Sequence, residues 1–413
     1  MGCDSLSCVI APKLLMFMLN FHVLFELLLS NMFNSIRHSH MTLCTAAFIC
    51  LVTIQTGCIN QESNSEEFSI EQKAAQLLMV GFKGFEMSDT SHVKRDIEEY
   101  GVGGVILFDF DVPTGTPERN IKSADQVEQL NRSLQEISSI PLLIAVDQEG
   151  GRVARLKAAR GFPATVSAEY LGDLNNPDST RAYTIEQTEL LANIGFNVNF
   201  APVVDLNTNP ENPVIGQLDR SYSADPDIVT THASIVIEEH QNQNLLPVIK
   251  HFPGHGSAWN DSHVGMADVT DTWEEIELEP YRNLSQTDFR FAVMTAHVMN
   301  SNLDEELPAT LSRNVQTGLL RDDIGFRGML FSDDMQMDAI RSFYGLEFSI
   351  EHALNAGVDM LIFANNSVYQ PDIVPDAVKI IVDLVETGAV SEERINEAYE
   401  RVMETKRQLG LLD

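Results

Sequence analysis

The sequence predicts a single closed (β/α)8 barrel of the TIM type, and three observations predict it. Short apolar runs of strand length recur eight times after Gln61. Helix-like segments separate the runs. Charged and imidazole residues fall at the C-terminal tips of the runs, the face where barrel enzymes assemble their sites.

The expected strands are Leu77–Phe82, Val102–Phe108, Pro141–Asp147, Val198–Asp205, Leu246–Phe252, Arg290–Val298, Gly328–Asp333 and Val358–Phe363. Most are rich in Val, Ile, Leu and Phe without alternation, as strands covered on both faces must be. The expected helices include Ser123–Ser138, Ser179–Ile194, Pro226–Gln241, Ser349–Ala356 and a closing amphipathic helix, Ser391–Leu411. A doubly wound open sheet is the alternative, but no G-x-G-x-x-G follows an early strand. Gly101-Val102-Gly103-Gly104 is too short for that fingerprint and reads as a tight turn into the second strand. Asp147, Asp205, Lys250, His251, His297, Asp333 and Asn365 sit at or just past strand tips. A buried tip does not carry charge unless something is paired or bound there.

Composition narrows the partners. The chain has 413 residues, with 60 Asp and Glu against 27 Lys and Arg, a formal charge of −33. That excludes a basic footprint for nucleic acid. With 44% hydrophobic and 21% charged residues, the chain can bury a large core. All five cysteines, Cys3, Cys8, Cys44, Cys50 and Cys58, lie in the first 58 residues. The globular part therefore has no cysteine-zinc site, thiol nucleophile or disulfide framework.

Residues 1–58 read as an export segment, 59–68 as an acidic tether and 69–413 as the catalytic barrel. Leu14–Ser30 is apolar but interrupted by Asn20, His22 and Glu26, and Met32 or Met41 is an alternative start. Arg37 precedes the apolar core Leu43–Ile54, which is followed by Gln55-Thr56-Gly57-Cys58. That ending resembles a bacterial lipoprotein signal, in which Cys58 is lipidated and tethers the protein to a membrane. The expected location is the cell envelope, exported, periplasmic or membrane-anchored. An uncleaved membrane anchor is the competing reading.

The stretch Lys250–Gly265, KHFPGHGSAWNDSHVG, concentrates the chemistry. Pro253, Gly254 and Gly256 stop a helix from continuing strand five, so a long loop is expected there. It carries His251, His255, His263 and Asp261. Residues two apart in extended chain face the same way, so Asp261 can reach His263 and raise its basicity. Zinc is the alternative use of three histidines and an aspartate, and a purely structural role is another. Phe326–Met337 reads as a buried strand ending in Ser332-Asp333-Asp334, with one carboxylate aimed into the barrel mouth and its neighbour away. Asp147–Leu156, DQEGGRVARL, offers Asp147 and Arg155 on the same rim, and Arg220 adds a second guanidinium. Carboxylates and guanidinium forks together suit a hydroxyl-rich ligand.

Residues 69–413 resemble glycoside hydrolase family 3, in its bacterial β-N-acetylglucosaminidase (β-N-acetylhexosaminidase) branch. KHFPGHG at 250–256, DSH at 261–263, DQEGGRVARL at 147–156, DRSYS at 219–223, MTAHV at 294–298 and FSDDM at 331–335 carry the resemblance. It implies that Asp333 is the nucleophile, His263 the general acid and then base, and Asp261 the partner that tunes His263. It implies that Asp147, Arg155, Arg220, Lys250 and His251 hold an N-acetylglucosamine ring. No cofactor or metal is implied.

The implied reaction is retaining, exo-acting hydrolysis of terminal β-linked N-acetylglucosamine, as in peptidoglycan turnover or chitin breakdown. Imidazole titrates near neutrality, so it can give and then take a proton at working pH. Gly254 and Gly256 are expected as hinges for loop closure. A phosphorylase, a β-glucosidase of the same family and an inactive glycan-binding lipoprotein are the alternatives. A monomer is expected, acting on an oligosaccharide that contains N-acetylglucosamine.

Overall fold

Eight parallel strands close on themselves in the computed structural model, which describes residues 68–412. They are β1 (Leu78–Gly81), β2 (Gly104–Ile106), β3 (Leu143–Val146), β4 (Val198–Asn199), β5 (Leu246–Phe252), β6 (Ala292–Thr295), β7 (Leu330–Asp334) and β8 (Met360–Phe363). β1 pairs with both β2 and β8, which closes the barrel. The expectations for residues 1–58, including lipidation at Cys58, and for the tether up to residue 67 lie outside the described residues.

Continuous apolar sequence becomes continuous burial. Every residue of β1, β2, β3, β5, β6 and β8 is buried. Around the strands run α1 (Ile70–Gln76), α2 (Ala124–Glu136), α3 (Pro177–Asn193), α4 (Pro226–Asn242), α5 (Glu279–Ser285), α6 (Leu346–Ala356), α7 (Ile373–Thr387) and α8 (Glu392–Gln408). Their starts follow capping chemistry. Ser123, Asn176, Asp225 and Ser391 each accept a first-turn amide with the side chain, and Pro177 and Pro226 follow their caps directly.

Most strands are trimmed at their ends, and two stop well before their runs do. The run Val198–Asp205 contributes only Val198–Asn199, because Pro202 has no amide to donate; the chain rejoins at a single bridge, Val203 to Lys250. The run Arg290–Val298 leaves the barrel after Thr295, and Val298–Met299 pairs with Ala267–Asp268 instead. This short pairing ties the end of the long loop after β5 to the loop after β6.

The two ends of the barrel carry different work. At the entry to β8, buried Asp359 accepts from Arg321 at 2.9 Å, Arg394 at 2.8 Å and Arg401 at 2.9 Å, and also takes the Leu330 amide. That cluster fastens the closing strand to α8 and to the helix before β7, as expected of the stability face of a barrel. At the other end, Phe200 meets Phe331 edge to face at 5.5 Å. Phe200 also lines the cavity that opens above it.

Candidate active site

The cavity at the C-terminal mouth has a volume of about 310 Å³. Asp147, Arg155, Arg220, Lys250, His251, His263 and Asp333 all line it, so the fold collects these residues from five different segments.

One wall is a ladder of ion pairs. The Lys250 side chain is only 2% exposed, and its Nζ lies 2.8 Å from Asp147 Oδ1 and 2.8 Å from Glu149 Oε1. Arg220 grips Glu149 with two parallel bonds, Nε to Oε2 at 2.8 Å and Nη2 to Oε1 at 2.7 Å. Arg155 Nη2 donates to Asp147 Oδ2 at 3.3 Å across the hairpin Gln148–Gly150 and Val153–Ala154. Burial would raise the Asp147 carboxyl. Lys250, Arg155 and Arg220 outweigh it and hold Asp147 well below the usual carboxylate range. Such buried networks add little net stability but hold their members in one geometry while each keeps its partners.

Asp205 organises the base of the loop after β5. Its Oδ2 accepts from His251 Nδ1 at 2.6 Å, and its Oδ1 accepts from the His255 amide at 2.8 Å. His251 Nε2 in turn accepts from Arg220 Nη2 at 3.4 Å. Higher in the loop, His255 Nε2 pairs with Ser262 Oγ at 3.1 Å, one residue before His263. His263 Nδ1 donates to Asp261 Oδ1 at 2.7 Å, and the His263 amide donates to the same oxygen at 2.8 Å. With Nδ1 engaged, Nε2 is the nitrogen left for proton transfer. Burial would lower the His263 imidazole; the bond to Asp261 and the charge of Asp333 outweigh it and raise it above the ordinary value.

The glycines expected as hinges sit in close packing at the base of the loop. A Cβ on Gly256 would lie 1.7 Å from the Leu206 carbonyl oxygen, and one on Gly254, at φ +124°, would lie 2.6 Å from Glu277 Oε2. These glycines allow close packing of the loop base. The open part of the loop is further on, where Trp259 and Val264 are exposed.

At the tip of β7, Asp333 Oδ1 accepts the Asp334 amide at 2.8 Å. Burial would raise Asp333, but the imidazoles of His297, His251 and His263 hold it below the usual carboxylate range, so it is an anion at neutral pH. Asp334 also reaches the cavity edge, yet its Oδ1 is occupied by the amides of Ala364 at 3.0 Å and Gln336 at 3.1 Å. Burial pushes its carboxyl up to about 6, with the charge of Asp333 adding to the effect. His297 braces the tip, with Nε2 3.0 Å from the Asp334 carbonyl oxygen and Nδ1 2.8 Å from Thr310 Oγ1.

Glu149 and Glu277 were not singled out by the sequence, and Asp205 was seen only as a rim residue. The signal for Glu149 was present, because it lies two positions after Asp147 and faces the same way. Among the described residues, no group of three His, Cys, Asp or Glu is arranged to hold a metal ion. His251, His255 and His263 instead face Asp205, Ser262 and Asp261.

A closed parallel barrel with an anionic carboxylate, a carboxylate-backed imidazole and a polar ladder at its mouth defines an acid–base enzyme site for a polar ligand. Residues 69–405 match the glycosyl hydrolase family 3 N-terminal domain, and the chain belongs to that family. It is 32% identical over 340 residues to beta-hexosaminidase A of Pseudoalteromonas piscicida, covering 76% of this chain and 54% of that protein. It is 37% identical over 295 residues to a beta-hexosaminidase of Tolumonas auensis, covering 70% of this chain and 83% of that one. A glycoside hydrolase family 3 beta-N-acetylglucosaminidase from Paenibacillus sp. str. FPU-7 superposes with a TM-score of 0.76 at 34% identity, over 84% of this chain and 63% of that structure. The chain thus spans about half of the Pseudoalteromonas protein and under two thirds of the Paenibacillus structure.

Proposed function

We propose that this chain is a retaining exo-β-N-acetylglucosaminidase that removes terminal β-linked N-acetylglucosamine from cell-wall or chitin fragments. The observation that carries the reading is the His263–Asp261 pair at the mouth of the cavity that Asp333 lines. The names of the relatives support the substrate class. Asp147, Lys250 and Arg220, the last two joined through Glu149, give the pocket one polar side suited to a terminal sugar.

In the first step an Asp333 oxygen forms a bond to the anomeric carbon as the glycosidic C–O bond breaks. His263 Nε2–H gives its proton to the departing oxygen. In the second step the unprotonated Nε2 takes a proton from water, the water oxygen bonds to the anomeric carbon, and the ester to Asp333 breaks. Two inversions return the original configuration. Asp261 holds the ring in the tautomer that both steps need. Export and a tether through Cys58 belong to the same reading, and mass spectrometry of the mature N-terminus tests them.

The anomer of the first-formed product, read by NMR on a defined disaccharide, tests the reaction. The β anomer is expected; α as the first product contradicts retention.

A further inference from the structure

The Asp261–His263 pair forms within the loop, but its place at the cavity depends on something else. We propose that the hydrogen bond between His255 and Ser262 is a latch that holds the outer part of the loop against the barrel, and that these two are positioning residues for His263. This rests on the role given to His263 above and adds the device that keeps the imidazole at the cavity Asp333 lines.

The loop is anchored at its two ends. Asp205 Oδ1 accepts the His255 amide at 2.8 Å, and Asn212 Nδ2 donates to the His255 carbonyl oxygen at 2.7 Å. Asn209 Nδ2 donates to the Ala258 carbonyl oxygen at 2.9 Å, the last anchor of the base. The chain is next held at Ala267, which pairs with Val298. Residues 259–266 lie between these anchors.

Other bonds within that stretch are internal. His263 Nδ1 donates to Asp261 Oδ1, and the Val264 amide donates to the Asp261 carbonyl oxygen at 3.2 Å. Among the described residues, one hydrogen bond ties the stretch to chain outside it, between Ser262 Oγ and His255 Nε2 at 3.1 Å. Packing does not replace it. Trp259 is 62% exposed and Val264 75% exposed, whereas Ser262 and His255 are each 3% exposed. Ser262 is thus the point where the outer loop is fastened inward, and the next residue, His263, lines the cavity. Without the tie, a free span would run from Ala258 to Ala267, with more conformations open to it.

The chemistry suits a latch. Burial, with the neighbouring His251 imidazole adding, pushes His255 down to about 4, so it is neutral near neutral pH. A neutral imidazole and a hydroxyl hold each other without placing a charge beside His263. The fastening and the tuning of His263 are therefore separate: Ser262 and His255 set where the imidazole stands, and Asp261 sets its tautomer and proton affinity. Misplacing a proton donor lowers the rate even when its proton affinity is kept.

The test compares Ser262→Ala and Ser262→Thr with the unsubstituted full chain on two substrates, a dinitrophenyl N-acetylglucosaminide and N-acetylglucosaminyl-β-1,4-N-acetylglucosamine. S262A is expected to lose about tenfold in kcat/KM on the disaccharide, whose departing oxygen needs the proton, and less than about twofold on the dinitrophenyl glycoside. S262T keeps the hydroxyl and should recover most of the loss. Hydrogen–deuterium exchange over 259–266 should quicken several-fold in S262A and stay unchanged in the barrel strands. Equal losses on the two substrates, no loss on the disaccharide, or S262T as slow as S262A would each overturn the latch. Cleavage of neither substrate by the unsubstituted chain would instead bring down the proposed function. Exchange alone then decides the latch, and rates over 259–266 unchanged by S262A overturn it.

Discussion

Asp261 receives both the ring Nδ1–H and the backbone amide of His263 on a single carboxylate oxygen, at 2.7 Å and 2.8 Å. A residue two positions away thus sets the tautomer, the orientation and the proton affinity of the imidazole. No other element has to move into place for the pair to form. The pair is therefore built into the loop itself, while the loop's base is pinned by Asp205 and Glu277.

The sign of the pH dependence follows from the two shifts. His263 is raised, so its acid form persists above the ordinary imidazole range. Asp333 is lowered, so its anionic form persists below the ordinary carboxylate range. The profile of kcat/KM should therefore be broad. Asp261→Asn should move its alkaline limb to lower pH and leave the acid limb in place. An alkaline limb unmoved in D261N contradicts the pairing.

His263→Ala should lose on the order of 10² to 10⁴ in rate on substrates with poor leaving groups, the range that a general acid contributes. On aryl glycosides with good leaving groups the first step needs no proton, so glycosylation should be far less affected. Kinetics of both substrate types check this, and equal losses on both contradict the role.

Lys250→Met should cost about 1 to 3 kcal/mol of stability, because Asp147 then keeps only Arg155 and Glu149 only Arg220. Chemical denaturation measures the loss. It should shrink at low pH, where the two carboxylates can take protons. A loss below about 1 kcal/mol would show that the ladder does not depend on Lys250.

Glu277 lies buried beneath the loop, and its Oε2 accepts the Gly256 amide at 3.2 Å. Burial pushes its carboxyl up to about 8, with Asp205 adding to the rise. The folded state thus holds this proton more tightly than the unfolded chain. Its contribution to stability is complete below about pH 4.5 and is lost as pH rises through about 8. Glu277→Gln, which keeps the shape of the protonated acid, should remove that part of the decline. Thermal melts of both proteins across this pH range are the check.

Much of this was legible in the chain because it is local. Leu246–Phe252 is apolar except for Lys250 and His251 near its tip, and becomes β5 over the same residues. The Asp261–His263 contact needs only two-residue spacing. What was not legible depends on packing between distant segments. Glu149 matters because Arg220 and Lys250 arrive from other loops, and Glu277 because the loop base descends onto it. Gly254 and Gly256 read as hinges when only their backbone freedom is known. Their neighbours Glu277 and Leu206 show why a Cβ cannot be placed there. The run from Val198 promised a longer strand because its apolar residues continue past Pro202, where the ladder is interrupted and resumes only at the Val203–Lys250 bridge.

The most direct measurement is covalent trapping with a 5-fluoro N-acetylglucosaminyl fluoride, followed by peptide mapping. A fluorosugar ester on Asp333 is the expected result, absent from Asp333→Ala. A label on any other residue, or none from a protein that turns over the unfluorinated sugar, contradicts the account.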